Sequence, residues 1–284
     1  MGQKEVVWFL LPLIVILAML TIYPFIYLLI NSTRSTYLAD PGSNRFIGVQ
    51  NYLSMLKDAR FYNAIKNTLI YTCLAVGIEF TIGLCVAIVL DRNFAGRDIV
   101  RALFLIPMFA TPAPVAMVWR QIYDPTLGLA NYFLGLVGLG SFSWTSQRTT
   151  ALLSIVLVDI WQWTPFFVLT LSAGLASLPR DPFEAAVIDG ASGPKVIRYI
   201  TIPLLKPLII TTLLFRIMDA FRVYDLIYVL TEGGPGIATE TLNYYAYLVS
   251  FRWLRIGYGS SLSFILLAMS LFVGTRLTRF ILEE

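Results

Sequence analysis

Long apolar runs alternate with short polar connections along the whole chain. About 20 apolar residues are needed to cross the hydrocarbon core of a bilayer, and runs close to this length recur. The pattern therefore predicts an all-α, polytopic membrane protein with six transmembrane helices in a single domain over residues 1–284. The predicted spans are residues 6–30, 67–90, 102–119, 151–178, 208–230 and 256–275.

The arrangement of the spans predicts their orientation. Residues 6–30 are kept as a spanning helix because they exceed the about 7 to 15 residues of a signal-peptide core, and no small-x-small cleavage site follows them. With six spans, both termini and the connections 91–101 and 179–207 share one side. This side holds ten Lys or Arg residues, against nine in the longer segments of the other side. Because Lys and Arg favour the cytoplasmic side, both termini are expected to be cytoplasmic.

Other parts of the pattern depart from straight spans. Residues 51–66 have apolar positions near helical spacing, which predicts a short interfacial helix running into the second span. Residues 124–144 either lie in the outer interface, dip inward or form a partly buried loop. Pro107, Pro112 and Pro114 each remove a backbone donor from the third span. That span is therefore expected to be kinked or partly unwound and packed inside the bundle.

The polar connection 179–207 has the most specific order of residues in the chain. Asp181 can cap a helix, Pro182 suits the first position of that helix, and Glu184 completes the spacing of a capping box. Gly190 can adopt the left-handed conformation that ends a helix. The first half of the connection is therefore predicted to be a short capped helix that stops at a glycine turn.

A second helix is predicted to follow that turn. It begins at residue 192 and ends near Pro203, with Pro207 preceding the fifth span. The connection is then a helical hairpin lying across the cytoplasmic face of the membrane. Its small side chains suit close approach by another protein, although an ordinary amphipathic loop would have a similar composition.

Charged residues are scarce, at 13% of a chain that is 57% hydrophobic, yet several lie inside predicted spans. A charge at the bilayer centre costs about 2.5 to 3.5 kcal/mol on insertion scales, so these residues need partners or water. They form either a structural ion-pair network or the polar wall of a solute path. The intramembrane charges are Arg216, Asp219, Arg222 and Asp225 in the fifth run, Glu79 in the second and Asp159 in the fourth.

The surroundings of Asp159 suit a carbohydrate. Trp161 and Trp163 offer aromatic faces to a sugar ring, with the amide of Gln162 between them. Arginine offers bidentate donors to hydroxyls or to an anionic group. The predicted solute path consists of Glu79, Asp159, Trp161, Gln162, Arg216, Asp219 and Arg222.

Several chemistries are excluded by composition. The chain has no histidine, and its two cysteines, Cys73 and Cys85, lie on one predicted helix about 18 Å apart, too far for a disulfide. Imidazole catalysis and Cys/His zinc sites are therefore unavailable, and no catalytic residue or metal ligand is predicted. The cations are scattered among apolar runs, which argues against nucleic acid as a partner. No G-x-x-x-x-G-K-[ST] stretch is present, so ATP and Mg²⁺ are expected to be bound by a partner.

Two motifs resemble a known family. The order Glu184-Ala185-Ala186 followed by Asp189-Gly190-Ala191 resembles the EAA loop of ABC importer permeases. In that family this loop forms a coupling helix in a cleft of the ATP-binding subunit. Gly233-Gly234-Pro235 resembles the outer loop, residues 231–255 here, of carbohydrate-importer permeases of the maltose and glycerol-phosphate type.

The resemblance implies a type I importer fold and a half-transporter in a bacterial plasma membrane. Its expected partners are a second permease subunit, two ATP-binding subunits, an extracytoplasmic solute-binding protein and membrane lipid. It implies coupling through the loop 184–207 and binding-protein docking at Gly233, Gly234 and Pro235. The residues expected to carry the coupling are Glu184, Ala185, Ala186, Asp189, Gly190 and Ala191. Two other functions remain open: a secondary transporter that uses Glu79, Asp159 and Asp219 as coupling carboxylates, and a membrane enzyme that uses paired carboxylates.

Overall fold

The computed structural model describes residues 3–282, and every regular element in this part of the chain is a helix. The longer helices carry the apolar runs, and the shorter ones lie in the connections. They are α1 (Gln3–Ser32), α2 (Gln50–Met55), α3 (Ala59–Asp91), α4 (Arg97–Phe109), α5 (Pro112–Ile122), α6 (Leu129–Leu136), α7 (Ala151–Ala176), α8 (Asp181–Ile188), α9 (Gly193–Val196), α10 (Ile202–Ala220), α11 (Asp225–Leu230), α12 (Leu242–Tyr247) and α13 (Ile256–Leu282).

Among the described residues, five helical stretches are long and apolar enough to span a membrane, and the bent pair α4 and α5 makes a sixth if it counts as one span. The first, second, fourth and sixth predicted spans are confirmed as helices. The five stretches are Leu10–Ser32, Ala59–Asp91, Ala151–Ala176, Gly193–Ala220 and Ile256–Arg279.

The third predicted span is broken, as its prolines indicated. Helices α4 and α5 are bent by 98° at Ala110 and Thr111. The carbonyl of Ala110 would accept the N–H of residue 114 in a continuous helix, but residue 114 is proline and has none. The prediction that this span packs inside the bundle is wrong for α4, which has no buried residue and leaves Phe109 76% exposed. Only α5 buries side chains, at Val115 and Ala116.

The fifth predicted span is wrong at both ends. Its helix stops at Ala220, because the N–H groups of Arg222 and Val223 donate to carbonyls three residues earlier, at 2.9 and 3.2 Å. Residues 221–224 separate it from α11, so the charges from 216 to 225 do not lie on one helix. At the other end, helix runs continuously from Gly193 to Ala220 through a π-helical segment, Ile197–Thr201.

The second helix of the predicted hairpin therefore does not end near Pro203. Pro203 instead lies just after the π-helical segment, near the start of α10 and within this continuous helix. Pro207 lies inside α10. The connection and the fifth span consequently form one continuous helical element.

By its internal contacts the chain divides into two compact units, residues 1–62 with 242–269 and residues 63–241 with 270–284. The single permease domain expected over residues 1–284 stays a prediction. In the first unit, residues 56–58 separate α2 from α3, so residues 51–66 do not form the one helix that was predicted.

Asp58 in this break organises the first unit. Its carboxylate accepts hydrogen bonds from the Tyr245 and Tyr258 hydroxyls at 2.7 and 2.6 Å and from the Arg60 backbone N–H at 2.9 Å. Burial alone would raise the pKa of Asp58, but the hydrogen bonds from Tyr258, Tyr245 and the backbone outweigh it and lower the pKa. The Arg60 guanidinium lies 4.7 Å from the Trp253 ring centroid, which adds a cation–π contact.

In the second unit α7 is the most enclosed of the spanning helices, since 67% of its most apolar stretch is buried. Helix α3 packs closely against it at Gly83, where a Cβ would collide with the Phe167 Cβ. The Phe80 and Phe167 rings also meet edge to face, with centroids 5.9 Å apart. The absence of a side chain at Gly83 therefore sets the distance between α3 and α7.

Gly83→Ala should destabilise the protein by about 1 to 3 kcal/mol, because the added methyl must displace the backbone of α7. Gly77→Ala on the same helix is the matched control, since a Cβ there meets nothing within 4 Å. The control should gain up to about 1 kcal/mol from helix propensity. Thermal unfolding of the purified protein in detergent tests both. Equal melting temperatures for the two variants would show that the contact at Gly83 is not tight.

Candidate functional site

A buried ion-pair cluster lies within the second unit, centred on Arg216 of α10. The Arg216 side chain is 2% exposed, and its Nε and Nη2 donate to the two carboxylate oxygens of Glu79 on α3, at 2.8 and 3.0 Å. Nη2 also donates to Asp159 on α7, and Nη1 donates to Asp219 at 3.2 Å. The guanidinium thus joins three helices.

The guanidinium of Arg216 forms its hydrogen bonds with side chains of the protein itself. Glu79 and Asp159 are 0% and 2% exposed, so removing their charges from water is costly and is offset only by well-formed charged hydrogen bonds. The guanidinium carbon also lies 5.2 Å from the centroid of the Trp163 ring. Of the two interpretations of these charges, this geometry favours a structural network for Arg216, Glu79 and Asp159.

A cavity of about 100 Å³ lies beside this cluster. Asp219 and Arg222 lie at the exposed edge of the cluster, since their side chains are 45% and 68% exposed. Their closest charged atoms are 3.9 Å apart. The residues that line the cavity are Tyr71, Pro112, Asp159, Gln162, Trp163, Arg216, Asp219, Ala220, Arg222, Val223, Tyr224, Asp225 and Leu226.

Two buried polar atoms of this lining make no well-formed hydrogen bond among the described residues: Gln162 Oε1 and the Tyr71 hydroxyl, which lies near the Asp159 carboxylate. Tyr71 is 0% and Gln162 is 1% exposed. Gln162 Nε2 donates to the Ala110 carbonyl at 2.9 Å, the acceptor that Pro114 leaves unpaired. This bond orients the amide, because a flipped amide would bring two oxygens together.

The structure brings most of the predicted solute path together, but not Trp161. Asp159, Gln162, Arg216, Asp219 and Arg222 line the cavity, and Glu79 contacts Arg216. Trp161 instead lines a separate apolar cavity of about 340 Å³, with its ring 5.7 Å from that of Trp119. Two residues along a helix are about 200° apart, so Trp161 and Trp163 cannot face the same cavity.

Tyr71 was not predicted as part of this site. It lies eight residues before Glu79 on α3, which places the two about 80° apart around the helix, within the width of one helix face. The sequence signal that could have identified Tyr71 was its hydroxyl inside an apolar span, eight residues from the charged Glu79.

The predicted hairpin forms around Gly190. Helix α8 ends in a left-handed glycine with φ of +67°. The N–H of Ala191 donates to the Ala186 carbonyl at 2.9 Å, and that of Gly190 donates to the Val187 carbonyl at 3.1 Å. These are the two bonds of a Schellman motif, so the predicted glycine stop is confirmed.

The start of this helix differs from the prediction. Asp181 does not cap it, because α8 begins at Asp181 itself and the preceding Arg180 makes no side-chain capping bond. Asp181 and Glu184 instead place two carboxylates in the first turn, where they interact favourably with the positive end of the helix dipole. The capping-box prediction is therefore wrong in its hydrogen bonds.

The hairpin exposes apolar side chains that the sequence analysis did not select. Ala186 is 6% exposed and faces inward, whereas Val187 and Ile188 are 76% and 85% exposed. The other predicted coupling residues lie along the same hairpin: Glu184, Ala185, Asp189 and Gly190 are exposed, and Ala191 is half-buried. Two adjacent apolar residues within a polar connection were the signal for this surface.

The outer-loop motif forms a compact turn inside the second unit. Gly233 is buried with φ of +83°, while Gly234 and Pro235 are half-buried. Their backbone is largely used internally, since Thr239 donates from N–H to the Gly233 carbonyl at 3.1 Å and from its hydroxyl to the Gly234 carbonyl at 2.9 Å. The exposed positions of this turn are Glu232 and Gly236.

In the described part of the chain, no group of three or more His, Cys, Asp or Glu residues is placed to hold a metal ion.

Sequence comparison relates the chain to transport proteins. The family described as "Binding-protein-dependent transport system inner membrane component" matches residues 79–282. A probable ABC transporter permease of Sinorhizobium fredii is 42% identical, covering 92% of this chain and 85% of that protein. A trehalose/maltose transport system permease of Thermococcus litoralis is 38% identical over 83% of this chain and 80% of that protein. A sulfoquinovosyl glycerol transport system permease of Agrobacterium fabrum is 32% identical over 92% of this chain and 85% of that protein.

Structure comparison supports the same fold. A chain of a bacterial alginate ABC transporter, solved with an alginate-bound periplasmic protein, superposes with a TM-score of 0.84. The match covers 96% of this chain and 92% of that chain, at 21% sequence identity. The predicted all-α, type I importer permease fold is thereby confirmed.

Arg216→Met should prevent accumulation of the folded protein, because it leaves Glu79 and Asp159 buried without a cation, at a cost of about 3 to 5 kcal/mol. Arg222→Met is the control, since its side chain is 68% exposed. Combining Arg216→Met with Glu79→Gln and Asp159→Asn should restore folding, which size-exclusion profiles and thermal unfolding would report. A stable Arg216→Met protein would remove Arg216 from the structural network.

Proposed function

Because the chain belongs to the family of inner membrane components of binding-protein-dependent transport systems, we propose that it forms half of the solute pathway of an ATP-driven importer for a saccharide. The subunit is a non-catalytic, multi-pass membrane permease. The observation that carries the saccharide assignment is the 38% identity to a trehalose/maltose permease over most of both chains. The cavity beside Arg216, with polar groups and the Trp163 ring in its wall, supports it.

The hairpin is proposed as the point where a separate ATPase acts. A rigid Schellman turn at Gly190 and the exposed apolar pair Val187 and Ile188 support this role, because solvent-exposed apolar side chains on a fixed turn suit insertion into a partner's groove. The continuous helix from Gly193 to Ala220 joins the hairpin to Arg216. Movement of the hairpin would therefore reach the cavity through a single helical element.

The remaining partners are proposed from the family. The full importer would contain a second permease subunit, two ATPase subunits that bind ATP and Mg²⁺, and an extracytoplasmic binding protein. We propose that the binding protein docks near the turn at Gly233, Gly234 and Pro235, with contacts from the exposed Glu232 and Gly236 beside them. The excess of cations in residues 91–101 and 179–207 supports cytoplasmic termini.

Transport by the complete importer in proteoliposomes tests this function. Uptake of trehalose or maltose should require the binding protein and ATP, and the loaded binding protein should in turn raise ATPase activity, since linkage is reciprocal in binding. A collapsed ion gradient should leave uptake unchanged. Uptake that needs an ion gradient and no ATP would instead support a secondary transporter based on Glu79, Asp159 and Asp219.

Gly190→Val should lower uptake several-fold while the subunit still inserts. A β-branched residue is strained at a φ of +67°, by about 1 to 2 kcal/mol or more, although no atom lies within 4 Å of its Cβ position. Gly193→Val is the matched control, because Gly193 also has open space around it and no left-handed φ. The ratio of solute imported to ATP hydrolysed is the readout. The same ratio in both variants would argue against coupling through this turn.

A further inference from the structure

We infer that the cavity beside Arg216 selects an uncharged, hydroxyl-rich saccharide and excludes an anionic one, with Tyr71 and Gln162 as specificity-determining residues. The inference rests on the proposed function and adds the charge class of the solute. It follows from three properties of the cavity: the occupied donors of Arg216, the excess of carboxylates and the two unpartnered polar atoms.

Arg216 is not available to an anionic solute. Its Nε and Nη2 hold both oxygens of Glu79, Nη2 also holds Asp159, and Nη1 holds Asp219. A solute carboxylate, sulfonate or phosphate could form a bidentate pair with Arg216 only by displacing Glu79 or Asp159, which are 0% and 2% exposed. Because the displaced carboxylate would then be buried without a cation, the exchange is unfavourable.

The charge balance of the cavity also opposes an anion. Asp159, Asp219 and Asp225 line it against the two guanidinium groups of Arg216 and Arg222. Glu79 adds a further carboxylate to Arg216 from α3. Even with one of these carboxyl groups protonated, carboxylates outnumber guanidinium groups. Like charges repel more strongly here than in water, because the effective dielectric is low.

The unpartnered atoms suit hydroxyl groups. Gln162 Oε1 can only accept, and its orientation is held by the bond from Nε2 to the Ala110 carbonyl. The Tyr71 hydroxyl can both donate and accept. Both are buried, at 1% and 0% exposure, and a buried polar group without a partner carries a free-energy cost that a bound hydroxyl would remove. A sugar hydroxyl donates and accepts in the same way, whereas an anionic oxygen only accepts.

A cavity of about 100 Å³ is smaller than the several hundred Å³ typical of pockets that enclose a whole small ligand. It therefore fits part of one sugar unit, for example a hydroxymethyl group with a neighbouring ring hydroxyl. The indole of Trp163 in the cavity wall provides an apolar surface for the C–H face of such a unit. The rest of the solute would extend past Asp219 and Arg222, which form the exposed edge of the cavity.

Tyr71→Phe and Gln162→Leu test the inference, because each removes one of these polar atoms from the cavity. Gln162→Leu also removes the bond from Nε2 to the Ala110 carbonyl, so Tyr71→Phe is the cleaner variant. Because the Tyr71 hydroxyl makes no well-formed hydrogen bond, Tyr71→Phe should melt at about the same temperature as the unmodified importer. It should nevertheless raise the half-saturating concentration of maltose by about three- to tenfold, the effect of one lost hydrogen bond. The measurement is saturation-transfer NMR on the permease–ATPase complex in nanodiscs without the binding protein, so that the permease itself is probed.

Ser172→Ala is the matched control. Its hydroxyl lies on the same helix as Gln162 and is likewise buried without a partner, but Ser172 does not line the cavity. This variant should bind maltose normally. A disaccharide with a glucuronate in place of one glucose is the anionic probe, and it should give a signal at least several-fold weaker than that of maltose.

The outcomes separate the inference from the proposed function. Normal maltose binding by Tyr71→Phe and Gln162→Leu, or stronger binding of the glucuronate probe, would overturn the inference alone. Saccharide uptake by the full importer with no saturation transfer from either probe would also overturn it. The proposed function would fail instead if no saccharide gave either uptake or saturation transfer.

Discussion

The need to neutralise a buried guanidinium constrains the whole second unit. Arg216 is 2% exposed in a helix that is long and apolar enough to span a membrane, and a charge in such surroundings persists only with well-formed partners. Glu79 and Asp159 provide them from two other helices. The relative positions of α3, α7 and α10 are therefore specified by charge as well as by apolar packing. Apolar contact alone specifies little between membrane helices, because lipid tails are as apolar as the side chains that they would replace.

The two broken spans meet at the same cavity. Irregular backbone at membrane depth is tolerated where protein covers it or where it lines a cavity. Pro112 follows the break between α4 and α5, and residues 222–224 lie in the break after α10; both segments line the cavity beside Arg216. The Ala110 carbonyl freed by Pro114 is paired by Gln162. The interruptions of helix thus coincide with the most polar part of the unit.

The helical stretch from Gly193 to Ala220 connects the hairpin with this polar centre. At 1.5 Å per residue its 28 residues extend about 42 Å. It contains one π-helical segment, Ile197–Thr201, close to the hairpin and away from Arg216. If the ATPase acts at the hairpin as proposed, a rigid stretch of this length gives a direct mechanical route to the ion-pair cluster.

The sequence by itself determined the approximate limits of four of the apolar spans, the glycine turn at Gly190 and the family, because these depend on local composition, on backbone freedom at one residue and on residue order. It also indicated that the charges near Arg216 needed partners. The tertiary structure decided which carboxylates pair with Arg216, that Trp163 rather than Trp161 lines the cavity, and that Tyr71 belongs to it. It also decided that helix continues through Pro203 and ends at Ala220. These outcomes depend on contacts between segments distant in sequence and on helix phase, which hydrophobic patterns do not encode.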